Sequence, residues 1–117
     1  RTISGNSATA GGGIRIYDGT LHAQDCIISR NTASGYGGGI FAWGLSGRTI
    51  VVILTTCTIS GNSATSSDMM GGGISSYGSS TVHLITCTIS GNSVISGGGG
   101  GIAIAGGSTV TVTTCTI

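Results

Sequence analysis

The chain repeats one short motif four times, and this repetition limits its possible folds more than any other feature. Thr2–Ser7 reads Thr-Ile-Ser-Gly-Asn-Ser, and the same letters return at Thr58–Ser63 and Thr88–Ser93, with a weaker copy at Ile27–Thr32. All four asparagines of the chain occupy one position of this motif, namely Asn6, Asn31, Asn62 and Asn92. Repeats of about 30 residues indicate a protein that stacks one structural unit on the next.

Two further positions recur in every unit. A cysteine stands two residues before the repeated isoleucine, and a glycine pair followed by isoleucine comes after the asparagine. The cysteines are Cys26, Cys57, Cys87 and Cys115, and the isoleucines after the glycines are Ile14, Ile40, Ile74 and Ile102. A pattern this regular makes every unit a copy of one structure.

Alternating apolar residues predict three short strands in each unit. Val52 and Leu54 precede Cys57 with a period of two, which is typical of a strand with one buried face. Cys57 and Ile59 share a face of a second strand, and Ile14 and Ile16 mark a third after the glycines. The odd offset between Leu54 and Cys57 breaks the alternation, so a bend is expected between them.

The units are too short for crossover helices, so the chain is expected to coil. The sequence predicts an all-β protein, a right-handed parallel β-helix of about four coils with three short strands per coil over residues 1–117. Collagen is excluded because glycine follows no period of three and proline is absent. No apolar run approaches the length of a transmembrane helix. The repeat is cut at both ends, which predicts an uncapped segment of a longer array whose partners are further coils.

Asparagine and cysteine are expected to form rows along the axis of the stack. Stacked amides of the four asparagines are predicted to hydrogen-bond from coil to coil. Arg30 replaces the glycine that precedes asparagine in the other copies, which suggests that asparagine itself adopts the left-handed conformation of the bend. The cysteines are predicted to point inward as free thiols, because parallel Cβ vectors hold adjacent Cβ atoms too far apart for a disulfide.

The charged residues exclude several functions. Only 6% of the residues are charged and the net charge is +1, so no basic stripe is available for a nucleic acid. Asp18, Asp25 and Asp68 are the only carboxylates, each near a different bend, and catalysis on a polysaccharide needs paired acids. His22 and His83 are two coils apart, too far to share a metal ion. The sequence predicts no enzyme, no cofactor and no metal site.

Two outward rows are candidate binding surfaces. Tyr17, Trp43 and Tyr77 share one outward position, and stacked aromatic rings are candidate contacts for sugar faces. A grid of hydroxyls flanks the cysteines, as at Thr58 and Thr88, and resembles the surface of ice-binding solenoids. Cross-strand packing and strand propensity explain the same residues without any ligand.

The glycine and asparagine signatures carry a resemblance to a known family. Gly-Gly-Ile stands at Gly12, Gly38, Gly72 and Gly100, and each asparagine follows an isoleucine by three residues. This pattern resembles the polymorphic outer-membrane proteins and related autotransporter-type adhesins, whose passengers are right-handed β-helices of the pectate-lyase-like superfamily. The resemblance implies an extracellular or cell-surface location and a structural or adhesive role toward host or matrix surfaces. Glycan binding or polysaccharide activity is the first alternative function, and ice binding is the second.

Overall fold

The computed structural model of the chain describes residues 1–44, 47–65, 71–94 and 100–117, and its regular structure within these ranges is entirely β. Among the residues described, there is no helical segment that could span a bilayer.

Each coil contributes four strands. The first coil holds β1 (Thr2–Ser4), β2 (Ser7–Ala10), β3 (Ile14–Ile16) and β4 (Gly19–Gln24). The second holds β5 (Ile27–Ser29), β6 (Thr32–Tyr36), β7 (Ile40–Gly44) and β8 (Ile50–Thr55). The third holds β9 (Thr58–Ser60), β10 (Ser63–Ala64), β11 (Ile74–Gly78) and β12 (Ser80–Ile85). The fourth holds β13 (Thr88–Ser90), β14 (Ser93–Val94), β15 (Ile102–Ala105) and β16 (Thr109–Thr113).

Equivalent strands of successive coils pair in parallel and build four sheets. The register keeps like residues opposite one another, so that Ile59 pairs with Ile28 below it and with Ile89 above it. One register shift occurs between Ala8 and Ala10, where β2 pairs with the longer β6. The predicted parallel β-helix with stacked coils is confirmed.

The structure has one more strand per coil than the sequence predicted. The additional strand follows the asparagine and forms its own sheet from β2, β6, β10 and β14. The sequence contains no alternating pattern there because β10 and β14 span only two residues each. Their backbone pairs with the neighbouring coils even though their side chains are small.

The core lies inside the stack and consists of aliphatic rows. Ile28, Leu54, Ile59, Ile74 and Leu84 are fully buried and belong to one hydrophobic cluster. Each large aliphatic side chain that is removed from water contributes roughly 1.5 to 3 kcal/mol, so these rows are the main source of stability.

Left-handed backbone occurs at several turns of each coil, two of which directly precede the cysteine and the asparagine. The predicted bend between Leu54 and Cys57 lies at Thr56, where φ is 54°. The other bend precedes the asparagine, and there the prediction was wrong: the left-handed residue is Gly61 (φ 63°) or Arg30 (φ 54°), not the asparagine. The reason is that the residue before the asparagine turns the chain. The asparagine is thereby free to point its amide along the stack.

One serine in the core has no hydrogen-bond partner. Ser76 points inward and lies between its register partners Ala42 of the second coil and Ile104 of the fourth. Its Oγ atom is buried and has no hydrogen-bond partner. Its neighbour Ser75 is equally buried, but its Oγ accepts a hydrogen bond from the Gly71 amide at 2.7 Å and donates one to the Gly71 carbonyl at 3.1 Å.

We expect Ser76→Ala to raise the free energy of unfolding by about 1 kcal/mol, because it removes a buried hydroxyl that gained no hydrogen bond. Ser75→Ala is the matched control and should lower it by about 1 kcal/mol, because the Gly71 amide loses its acceptor. Urea unfolding of both variants measures the difference. Equal losses of stability would show that Ser76 is hydrogen-bonded in solution.

Candidate functional site

The asparagine row satisfies backbone groups that the bend leaves unpaired. The Asn62 amide nitrogen donates to the Ile28 carbonyl at 3.0 Å, and its Oδ1 accepts the Asn31 backbone N–H at 3.0 Å. Oδ1 also accepts from Nδ2 of Asn31 at 3.1 Å. The same bonds recur one coil lower at Asn31 and one coil higher at Asn92, so these three asparagine side chains bond the backbone of the coil beneath them.

The cysteine row repeats this arrangement with weaker groups. The Cys87 thiol donates to the Leu54 carbonyl at 3.2 Å, which is the carbonyl three residues before the cysteine of the coil below. The Cys115 sulfur accepts the Cys87 backbone N–H at 3.3 Å. In both rows the residue before the asparagine or cysteine has left-handed backbone, as Gly61 and Thr56 do. The two side chains therefore bond backbone groups at two different bends of the coil. Three asparagines (Asn31, Asn62 and Asn92) and three cysteines (Cys57, Cys87 and Cys115) thus donate to a carbonyl of the coil below.

All four cysteines are free thiols in the structure, with Cys57 and Cys87 buried and Cys26 and Cys115 half-buried. Burial raises the pKa of the Cys57 thiol, and the neighbouring thiols Cys87 and Cys26 raise it further. The thiolate is the form that reacts with alkylating reagents, so a raised pKa slows modification.

We expect iodoacetamide at neutral pH to modify Cys26 and Cys115 in the native protein well before Cys57 and Cys87. After denaturation without reductant, all four should react, because no disulfide protects them. Mass spectrometry of the digested protein reads each site separately. A requirement for reductant would contradict free thiols and would place disulfides between neighbouring coils.

The five aromatic residues of the chain gather on the outer face of the third sheet, which consists of β3, β7, β11 and β15. We define the aromatic row as Tyr17, Trp43 and Tyr77, which occupy equivalent positions in successive coils. Trp43 and Tyr77 are register partners, and Tyr17 is in ring contact with Trp43. The ring centroids of Tyr17 and Trp43 are 5.8 Å apart, and those of Trp43 and Tyr77 are 6.2 Å apart. Both distances are typical of stabilising aromatic pairs.

An open groove of about 250 Å³ lies beside this row. The residues that line it are Tyr36, Phe41, Trp43 and Tyr77, and we call it the aromatic groove. Phe41 is only 2% exposed and forms its floor, in ring contact with Tyr36 at 5.4 Å and with Trp43 at 5.8 Å. Tyr77 is 40% exposed and offers its ring to solvent.

Arg15 stands at one end of the aromatic row. Its guanidinium carbon lies 4.3 Å from the centroid of the Tyr17 ring, a cation–π contact. Arg15 is exposed and is the register partner of Phe41, so its side chain starts beside the floor of the groove. Nε1 of Trp43, in contrast, is buried and has no hydrogen-bond partner.

The structure brings the three predicted aromatic residues together and adds two that the sequence reading missed. Phe41 stands two residues before Trp43 in the same strand, so the alternation that places Trp43 outward also places Phe41 outward. Tyr36 ends β6 immediately before the glycine run and folds over Phe41. The alternation could have identified Phe41, whereas the position of Tyr36 depends on the path of the corner.

The hydroxyl grid occupies the outer face of the first sheet, which consists of β1, β5, β9 and β13. Thr58 pairs with Thr88 and Ser60 with Ser90, so the two columns stay in register. In the second coil Ile27 takes the place of threonine and is 45% exposed, which interrupts the grid.

The other candidate residues remain apart. His22 and His83 both pair with Ile53, which lies between them on the fourth sheet, consisting of β4, β8, β12 and β16. Asp18 and Asp25 are exposed at separate turns, and Asp68 lies outside the described residues. Within the described ranges, no group of three or more histidine, cysteine or acidic residues could hold a metal ion.

A family model described as the Chlamydia polymorphic membrane protein repeat matches residues 25–42. The matched stretch contains Cys26, Asn31, the glycine corner and the floor residue Phe41. No curated protein and no solved structure matches the chain. The repeat match and the stacked parallel sheets together fit a β-helix of the polymorphic membrane protein or autotransporter type.

Proposed function

We propose that this chain is a non-enzymatic, adhesive β-helix segment of a cell-surface protein, and that its aromatic groove contacts sugar rings. The observation that carries the proposal is the gathering of all five aromatic residues on one face of an otherwise small-residue, weakly charged solenoid. Aromatic faces beside a groove bind the apolar faces of pyranose rings, and pockets of this kind use few polar groups.

The repeat match supports the surface location. The matched family is a membrane protein repeat, and the matched residues include Asn31 and the glycine corner of the second coil. We also propose that the fold belongs to the pectate-lyase-like superfamily, as the parallel coils suggest. The non-enzymatic role is supported by the separation of Asp18 and Asp25, which lie at different turns of the first coil.

Binding to an immobilised panel of oligosaccharides tests the proposal. Trp43→Ala should lower the affinity for any bound glycan at least tenfold, because Trp43 contacts both neighbouring rings of the row. His83→Ala on the fourth sheet is the matched control and should bind like the parent, and thermal melts verify that both variants fold. Equal binding by the parent and Trp43→Ala would remove the groove from the proposal.

A second candidate function is ice binding, which the in-register threonine and serine columns of the first sheet favour. Flat arrays of hydroxyls at strand spacing are the feature that this function needs. An ice-recrystallisation assay of the parent decides, with the double variant Thr58→Tyr, Thr88→Tyr as the control that disrupts the flat grid. A parent without activity eliminates this candidate.

A further inference from the structure

We propose that the aromatic groove selects glycans with an anionic group, and that Arg15 binds this group at the end of the aromatic row. The inference rests on the proposed glycan contact and names the chemical class of its ligand. It follows from the position, the orientation and the charge environment of Arg15.

Arg15 is held in place by the aromatic row itself. The guanidinium lies over the Tyr17 ring, and Tyr17 is in ring contact with Trp43. Arg15 points outward from β3 on the same face as its register partner Phe41, and Tyr17, the residue after β3, is in ring contact with Trp43 of the next coil. The positive charge of Arg15 therefore lies beside the aromatic rings, on the same face of the solenoid.

A guanidinium that stacks on a ring keeps its N–H donors at its edge. These donors lie in one plane and match the two oxygens of a carboxylate or a sulfate. Arg15 is exposed, and none of the described residues forms an ion pair with it. Its donors are therefore available to a ligand.

The described surroundings of the groove favour an anion over a cation. The lining residues that the structure describes, Tyr36, Phe41, Trp43 and Tyr77, carry no carboxylate. Asp18 is the nearest acid along the chain, and it lies in the exposed turn after Tyr17 without an ion pair to Arg15. A neutral sugar would use the rings alone, whereas an acidic sugar would use the rings and Arg15 together.

The dimensions suit a short oligosaccharide. Coils repeat about 4.8 Å apart, so the row from Tyr17 to Tyr77 covers two steps of the stack, or roughly 10 Å. This length accommodates two or three sugar rings in a chain laid along the stack. An acidic sugar over Tyr17 would place its charged group beside Arg15, with its neighbours over Trp43 and Tyr77.

The test compares anionic oligosaccharides with their neutral counterparts on the intact chain. The probe pairs are hyaluronan oligosaccharides with their carboxyl-reduced form, heparin oligosaccharides with their desulfated and carboxyl-reduced form, and sialyllactose with lactose. We expect the anionic member of at least one pair to bind about tenfold more tightly, a difference that decreases as salt is added.

Variants separate Arg15 from the general charge of the protein. Arg15→Met should abolish the preference for the anionic member, while Arg30→Met removes the same charge at a distant bend and should keep it. Arg15→Lys should retain part of the preference, since an ammonium keeps the charge but loses the planar fork.

The outcomes distinguish this inference from the function it rests on. Equal binding of both members of every pair, lost in Trp43→Ala, would overturn the anionic preference and leave glycan binding intact. Equal effects of Arg15→Met and Arg30→Met would also overturn it. If no glycan binds the parent, both proposals fail.

Discussion

Asn62→Ala is expected to lower the free energy of unfolding by about 2 to 5 kcal/mol, several times the effect of an average surface substitution. Asn62 is fully buried and takes part in hydrogen bonds to the coils on both sides. Removal of its amide leaves the Asn31 backbone N–H and the Ile28 carbonyl without partners inside the stack. Each such group costs about 1 to 3 kcal/mol when it stays buried and unpaired.

Denaturant unfolding followed by circular dichroism measures this loss. The matched control is Ser63→Ala, one residue later in β10, where the backbone N–H donates to the Asn31 carbonyl at 2.9 Å and the side chain is half-buried. It should change stability by less than about 1 kcal/mol. A loss for Asn62→Ala no larger than that of the control would show that the asparagine amides contribute little.

Asn62→Asp adds a dependence on pH with a defined sign. Burial disfavours the charged carboxylate, so the pKa of the introduced acid should lie above its unfolded value of about 3.9. The folded protein then holds a proton that the unfolded chain releases, and stability falls as pH rises above about 4. At lower pH the protonated acid can donate to the Ile28 carbonyl as the amide does. Melts at pH 3 and pH 7 should therefore differ for this variant more than for the parent.

The stack, its register and its core could be predicted because each depends on a periodic pattern. Isoleucine recurs at Ile28, Ile59 and Ile89, and parallel pairing in register is the arrangement that buries all copies of such a residue at once. The bend at Thr56 could be predicted for the same reason, since the alternation of apolar residues changes phase there.

Features that depend on local backbone geometry could not be predicted. Asparagine and glycine both tolerate left-handed backbone, so the pair Gly61-Asn62 does not reveal which residue turns the chain. The strand at Ser63–Ala64 is held by backbone pairing alone and has no apolar alternation. The groove was predicted only in part because Phe41 is outward yet 2% exposed, covered by the chain that turns the corner.

The second large effect on stability is expected at the glycine corner before β7, because its glycines leave no space for a side chain. A Cβ atom at Gly38 would overlap the Ser63 carbonyl oxygen and would lie 2.6 Å from the Gly72 carbonyl oxygen. Both atoms belong to the backbone of the next coil, so no rotation of a side chain can relieve the overlap. The coils would have to separate, which breaks the Gly39 hydrogen bonds to Gly72 and Gly73.

We therefore expect Gly38→Ala to destabilise the fold by about 4 kcal/mol or more, a loss reached only by severe overpacking or by the breaking of a buried network. Gly61→Ala is the matched control. Gly61 has left-handed backbone, but a Cβ there would meet no atom closer than 3.7 Å, and Arg30 occupies the equivalent position one coil below. It should cost only about 1 to 2 kcal/mol, the penalty of a left-handed alanine. Thermal melts that rank Gly61→Ala as the more harmful change would show that backbone conformation, and not the close approach of coils, explains the glycines of this repeat.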